Sequence, residues 1–209
     1  MSDEPTEVAE EDPAPTLDPE TRARRDAALT LVRKHGDPVL RSRALEIDRF
    51  DDALRDEIRR MGQVMNDALG IGLAATQVGV MHRVLVYRVE AEAAVAALVN
   101  PVLEWASDER EPLEEGCLSL PGVLVDVERP VHVRVRAQDE RGEAILVEAS
   151  GLEARVIQHE MDHLDGVLIL DRVSREERKE ALRILREGPD SDDTAEVEPA
   201  EPSPSGSAV

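Results

Sequence analysis

Apolar residues recur with helical spacing in "DDALRDEIRRMGQVMNDAL" (51–69), where Leu54, Ile58, Met61 and Met65 fall at three- and four-residue steps. This predicts an amphipathic helix with its stripe in the core, opened by Asp51 or Asp52. "LGIGLAATQVGV" (69–80) holds three glycines and reads as a loop with short extended pieces. "RVLVYRV" (83–89) reads as a strand, and "ALVNPVLEW" (97–105) as a strand broken at Asn100–Pro101. "VHVRVRA" (131–137) alternates valines with polar residues, so it is a half-buried strand. "AILVEA" (144–149) is another, after the turn "DERGE". "LEARVIQHEMDHLD" (152–165) fits a helix that Gly166 can end. "SREERKEALRILRE" (174–187) fits a last helix, with Ser174 and Glu177 as a capping box. Short strands gathered with three helices, without regular βαβ alternation, indicate an α+β fold.

Composition narrows the kind of core. The chain has 209 residues, 41% of them hydrophobic, and its aromatics are Phe50, Tyr87 and Trp105 alone. Packing must therefore rest on aliphatic side chains and methionine. The formal net charge is −21, with −6 in residues 1–26 and −7 in residues 187–209, which leaves −8 for residues 27–186. An acidic surface argues against general binding to nucleic acid or to anionic membranes. Residues 1–22 and 188–209 are rich in Asp, Glu, Pro, Ser and Ala and are expected to be disordered acidic tails flanking one domain, 23–187. A single cysteine forms no internal disulfide. The acidic, Pro-rich start is unlike a secretory or transit signal, and no run has the length of a membrane span. A soluble, cytoplasmic, monomeric protein is expected.

"QHEMDH" (158–163) sets His159 and His163 four residues apart, on one face of a helix. Both imidazoles can reach one metal ion, and Glu160 can reach a water there without being a ligand. A catalytic site of this kind needs a third protein ligand and an open position. The third-histidine position of HExxHxxGxxH is occupied by Ile169, which cannot bind metal. Glu176, Glu177 and Glu180 read better as solvated or capping residues. Cys117, in "LEEGCLSLPG" (113–122), follows a polar, sharply turning stretch and is the remaining donor. A thiolate with two imidazoles suits Fe(II), Zn(II), Co(II) or Ni(II) over Mg or Ca.

"GIGLAATQVG" (70–79), "EEGCLSLPG" (114–122) and "QHEMDHLDG" (158–166) resemble the three signature motifs of the peptide deformylase family, GxGLAAxQ, EGCLS and QHExDH, in the same order. "GDPVLR" (36–41), "NP" (100–101) and "GVLILDR" (166–172) add to the resemblance, which covers roughly residues 30–186. It implies short antiparallel sheets packed around a central HExxH-bearing helix, with an N-terminal and a C-terminal helix. It implies a metal-dependent hydrolase that removes the formyl group from N-formylmethionyl nascent polypeptides and releases formate.

Carried onto this sequence, the resemblance gives Cys117, His159 and His163 as metal ligands, with Fe(II) as the native ion. Glu160 is the proton carrier. The Gln77 side-chain amide and the Leu118 backbone N–H are donors to the oxyanion. Gly70 and Gly72 allow an extended peptide to lie close, and Ile71, Leu118, Leu152, Val156 and the His159 ring line a pocket for the methionine side chain. Arg155 is placed near the exposed mouth of that pocket and receives no role. Arg175, Arg178, Lys179, Arg183 and Arg186 are candidates for contact with ribosomal RNA. Two other readings stand beside this one: an HExxH endopeptidase with a downstream third ligand, and a non-catalytic metal- or ribosome-binding homologue.

Overall fold

The computed structural model describes residues 17–187. Four helices run in the order α1 (Pro19–Leu29), α2 (Asp52–Asp67), α3 (Gly151–Leu164) and α4 (Arg175–Glu187). Seven strands, β1 (Gly72–Ala74), β2 (Val84–Tyr87), β3 (Ala96–Ala106), β4 (Arg110–Cys117), β5 (Leu120–Pro130), β6 (His132–Gln138) and β7 (Ala144–Ser150), form two antiparallel sheets. One has the order β1-β2-β3-β6-β7 and the other pairs β4 with β5. The architecture is α+β, as the patterning indicates.

The larger sheet is covered on both faces. Leu54, Ile58, Met61 and Met65 of α2 pack with Leu73, Val84, Val86 and Val99. Ala154, Ile157, Met161 and Leu164 of α3 pack with Leu85, Leu98, Val133 and Val135 on the other side. Strand β2 therefore buries Val84, Leu85, Val86 and Tyr87 in succession, which is why "VLVY" lacks alternation. Each such aliphatic side chain contributes about 1.5–3 kcal/mol by leaving water. On β5, Val123, Val125 and Val127 alternate inward and meet Ala181, Leu182 and Leu185 of α4.

The helix termini follow local chemistry. Asp51 caps α2 by accepting from Leu54 N, and Ser174 and Glu177 exchange hydrogen bonds at the start of α4. Gly166 takes φ +74° just past α3. A Cβ there would lie 2.7 Å from the Arg41 carbonyl oxygen, so the position requires glycine for space as well as conformation.

Three features differ from the patterning. Strand β3 runs through Asn100–Pro101, absorbing the irregularity as a shift of register against β6 between Val99 and Val102. Helix α1 is a fourth helix. It starts at Pro19, inside the stretch expected to be a tail, with Asp18 capping Thr21 N. Residues 1–16 and 188–209, expected to be disordered, lie outside the described residues. The long β4–β5 hairpin is also unanticipated, although Val123, Val125 and Val127 carry the two-residue period.

Candidate metal centre

Helix α3 and the hairpin meet where the sequence motifs converge. The apolar residues of α3 face the sheet, which turns His159 and His163 toward the end of β4. Sγ of Cys117 lies 3.2 Å from His163 Nε2. The potential ligand atoms of Cys117, His159 and His163 all lie within 4.8 Å of one another. The two imidazole rings sit edge to face with centroids 5.0 Å apart. The predicted ligand residues are thus brought together from positions more than forty apart in the chain.

The electrostatics suit a cation. His163 is buried, and its Nδ1 is a buried nitrogen with no hydrogen-bond partner. Burial alone would push the Cys117 thiol up, but His163 and His159 outweigh it and hold the group well below its ordinary value. For His159 burial pulls down, yet Cys117 and Glu115 leave it well above the ordinary range. The cluster therefore carries thiolate character that needs a neighbouring positive charge. A divalent ion meets that need with both imidazoles neutral, and one sulfur with two nitrogens fits Fe(II), Co(II), Ni(II) or Zn(II).

Glu115 orients the site. Its Oε2 accepts from His159 Nδ1 at 2.9 Å, leaving Nε2 as the nitrogen available for a metal. Oε1 accepts from Arg129 Nε at 2.6 Å and from Arg155 Nη1 at 2.7 Å. Burial pushes the Glu115 carboxyl up, but His159 and Arg129 outweigh it and bring it down to about 2. Arg129 continues to Asp162 at 2.8 Å, and Asp162 also receives Arg172. Arg155 is buried at 7% exposure and donates to the carbonyls of Val127 and Glu111, not at an exposed pocket mouth. That corrects the sequence expectation: the guanidinium is drawn inward by a carboxylate forty residues away, which local spacing cannot reveal. Glu115 itself has a local signal, since residues two apart on a strand share a face and Glu115 precedes Cys117 by that step.

The remaining predicted residues surround the cluster. Glu160 is 4% exposed, and its Oε2 is a buried oxygen with no hydrogen-bond partner. Burial raises its carboxyl above the ordinary value. A Cβ at Gly72 would collide with the Glu160 carboxylate and the Val156 methyl, so glycine makes room for both. Gln77, in the 3-10 turn Ala75–Val78, accepts from Ala74 N at 2.8 Å through Oε1. That fixes the amide so that Nε2 points to Ser119 Oγ (3.3 Å) and Cys117 Sγ (3.7 Å). The side chain of Leu118 lies against Gly70. Ile71 and Leu152 are exposed, whereas Val156 is buried in the core.

The polypeptide deformylase family model matches residues 29–179, most of the chain. The chain belongs to the polypeptide deformylase family. A peptide deformylase of Acidothermus cellulolyticus is 46% identical over 160 residues, covering 77% of this chain and 87% of its own. One from Thermotoga neapolitana is 48% identical over 154 residues, covering 74% of this chain and 90% of its own. The crystal structure of a peptide deformylase from Synechococcus elongatus in complex with actinonin superposes with a TM-score of 0.70 at 48% identity, over 73% of this chain and 85% of the other. Arabidopsis thaliana deformylase 1B gives a TM-score of 0.71 at 38% identity, over 75% of this chain and 88% of the other. The matched span contains the motif-bearing stretches 70–79, 114–122 and 158–166.

Proposed function

We propose that this chain hydrolyses the formamide of N-formylmethionyl peptides, releasing formate. The observation that carries the reading is the convergence of Cys117, His159 and His163 beside the buried, unpartnered Glu160 carboxylate, within a chain of this family. Cys117, His159 and His163 would hold one divalent ion, Fe(II) in the native protein. When bound, the ion supplies acidification of water and polarisation of a carbonyl.

The other roles fall to the chain's own groups. Glu160 accepts the proton of the attacking water and returns it to the departing amine. The Gln77 amide and the Leu118 N–H donate to the oxyanion, and Gln77 is held for this by Ala74 N. Strand β1 lies at an edge of its sheet, paired on one side with β2. An extended peptide can add there through main-chain hydrogen bonds, which tolerates many sequences. Ile71, Leu118, Leu152 and Val156 would surround the methionine side chain, with Gly70 and Gly72 permitting the approach. Within the fold, α3 carries two of the three proposed ligands, the proton carrier, and Leu152 and Val156 of the pocket.

The working domain comprises residues 23–187, acting as a monomer in the cytoplasm where nascent chains emerge. No helix among the described residues is long and apolar enough to cross a membrane. An endopeptidase reading gains no support, because Glu177 caps its own helix and Glu180 pairs with Arg183.

The test is formate release from formyl-Met-Ala-Ser by the metal-loaded protein and by Glu160→Ala. The variant should retain metal and lose at least about a hundredfold in kcat. Parental turnover in a metal-replete variant would overturn the assignment of Glu160.

A further inference from the structure

We infer that Lys34 is a positioning residue for the metal centre, acting on the Cys117 sulfur through a single peptide group. The inference rests on the proposed reading of Cys117 as a ligand. Lys34 lies in the segment between α1 and the first motif-bearing turn and is half-buried. Its Nζ donates to the Leu118 carbonyl at 2.9 Å, across eighty-four positions of sequence. The N–H at the other end of that same peptide, that of Ser119, points to Cys117 Sγ at 3.4 Å. An ammonium on the carbonyl end of an amide polarises it and strengthens donation from the N–H end. The chain Lys34–Leu118–Ser119–Cys117 thus delivers part of a positive charge to the sulfur without occupying a coordination position. Outer partners of this type orient ligands and tune the ion they hold.

Neighbouring contacts show that the arrangement is built into the fold. Arg33 N donates to the Gln77 carbonyl at 2.7 Å, and His35 N donates to the Ser119 carbonyl at 2.9 Å. Residues 33–35 therefore pin the backbone of Gln77, Leu118 and Ser119, two of the three motifs, to one strap. Ser119 is fully buried, and its Oγ receives Gln77 Nε2 at 3.3 Å, so the strap also sets the distance between the amide and the sulfur. Lys34 alone among the three residues holds its carbonyl through a charged side chain.

The test uses full-length protein loaded with Co(II), comparing the parent with Lys34→Met, Lys34→Gln and Lys34→Arg. Weakened donation leaves the thiolate more electron-rich. In Lys34→Met the sulfur-to-cobalt charge-transfer band should move to lower energy, and loss of the anchor that holds the Leu118–Ser119 peptide beside the sulfur should lower Co(II) affinity in a chelator competition about tenfold. The kcat for formate release should fall with KM nearly unchanged, and Lys34→Arg should restore band, affinity and kcat. Lys34→Gln keeps a donor without the charge and should give an intermediate band. It also serves if the methionine variant does not fold. A band and affinity unmoved in a folded Met or Gln variant overturn the role of Lys34 while leaving the site reading intact. Absence of any sulfur-to-cobalt band in the parent overturns both.

Discussion

Glu115 Oε2 stands 2.9 Å from His159 Nδ1, and the same carboxylate receives Arg129 and Arg155. One buried anion therefore fixes the orientation of the His159 ring and is itself fixed by two guanidinium groups. Replacing it with the neutral isostere separates the two duties. Glu115→Gln should weaken metal binding about tenfold to a hundredfold, read by competition with a chelator. It should also lower stability by about 3–5 kcal/mol, because Arg129 and Arg155 would face an uncharged amide in the interior. Chemical denaturation of the metal-free protein measures the second effect independently of the first. Unchanged metal affinity would show that His159 is oriented by packing alone.

Gly72 leaves the space in which the Glu160 carboxylate and Val156 sit. Adding one methyl group forces Glu160 aside, since the strand backbone at the sheet edge and the α3 backbone are both held by hydrogen bonds. Gly72→Ala should cost about 1–3 kcal/mol in overpacking. The displaced carboxylate should cost more in turnover, of the order of a hundredfold in kcat. A variant that lost stability but kept kcat would place the reacting water elsewhere than beside β1.

The motifs are legible in the sequence because each sets chemically unusual residues at fixed local steps. His159 and His163 share a face of α3, whereas Gly70 and Gly72, expected to admit an extended peptide, are crowded by the side chains of Leu118, Glu160 and Val156. The α2 stripe and strands β2, β3, β6 and β7 follow from apolar spacing for the same reason. Helix α1 escapes because its residues are polar on nearly every side, with Ala28 its one buried position. Strand β4 escapes because Arg110 to Glu114 all point into solvent, so no face is marked apolar. Lys34, Arg129 and Arg155 are invisible by spacing. Their partners are Leu118, Glu115 and Asp162, which only the folded chain brings near.

Asp171 joins three elements: it receives Arg41, Arg178 Nη1 at 3.0 Å and Leu168 N at 2.9 Å. Burial raises its carboxyl, but Arg41 and the Leu168 amide outweigh that and leave it below the ordinary 3.8. A depressed carboxyl stabilises the fold above its unfolded value, and the contribution is lost as pH falls through the folded value. Asp171→Asn should therefore be less stable than the parent by about 1–2 kcal/mol at pH 7, in keeping with a partly exposed charged network. The difference should be undiminished down to about pH 4 and shrink below it. Urea titrations of both proteins across this range provide the measurement. A gap independent of pH down to strong acid would mean that the loss comes from shape and not charge.

On α4, Arg178 is engaged with Asp171 and Arg183 with Glu180 and Glu187, whereas Arg175 and Lys179 are exposed on the helix. If this face meets ribosomal RNA, Arg175 and Lys179, which form no ion pair among the described residues, should carry the contact through phosphates. Replacing Arg175 and Lys179 together by Glu should then abolish the salt-sensitive part of binding to purified ribosomes. Formate release from a free tripeptide should be unaffected, because neither residue touches the site around Cys117. Equal binding by variant and parent at low salt would remove α4 as a ribosome-facing surface.

Cys117 is half-buried, and His163 and His159 hold its thiol well below the ordinary value against the effect of burial, so an iron-loaded form should be vulnerable in a specific way. Oxygen can take electrons from Fe(II), or from the sulfur along the path to sulfenic and sulfinic acid. Ni(II) and Co(II) ions resist the first route and, by engaging the sulfur, slow the second. Protein reloaded with Ni(II) or Co(II) should hold its formate-releasing activity in air while the Fe(II) form decays. Intact-mass measurement of the decayed sample distinguishes the routes, because oxidation at Cys117 adds oxygen to the chain and loss of ferrous iron alone does not. Restoration of activity by fresh Fe(II) under nitrogen should follow when no mass is gained. Parallel decay of all three metal forms would count against oxidation of the iron as the cause.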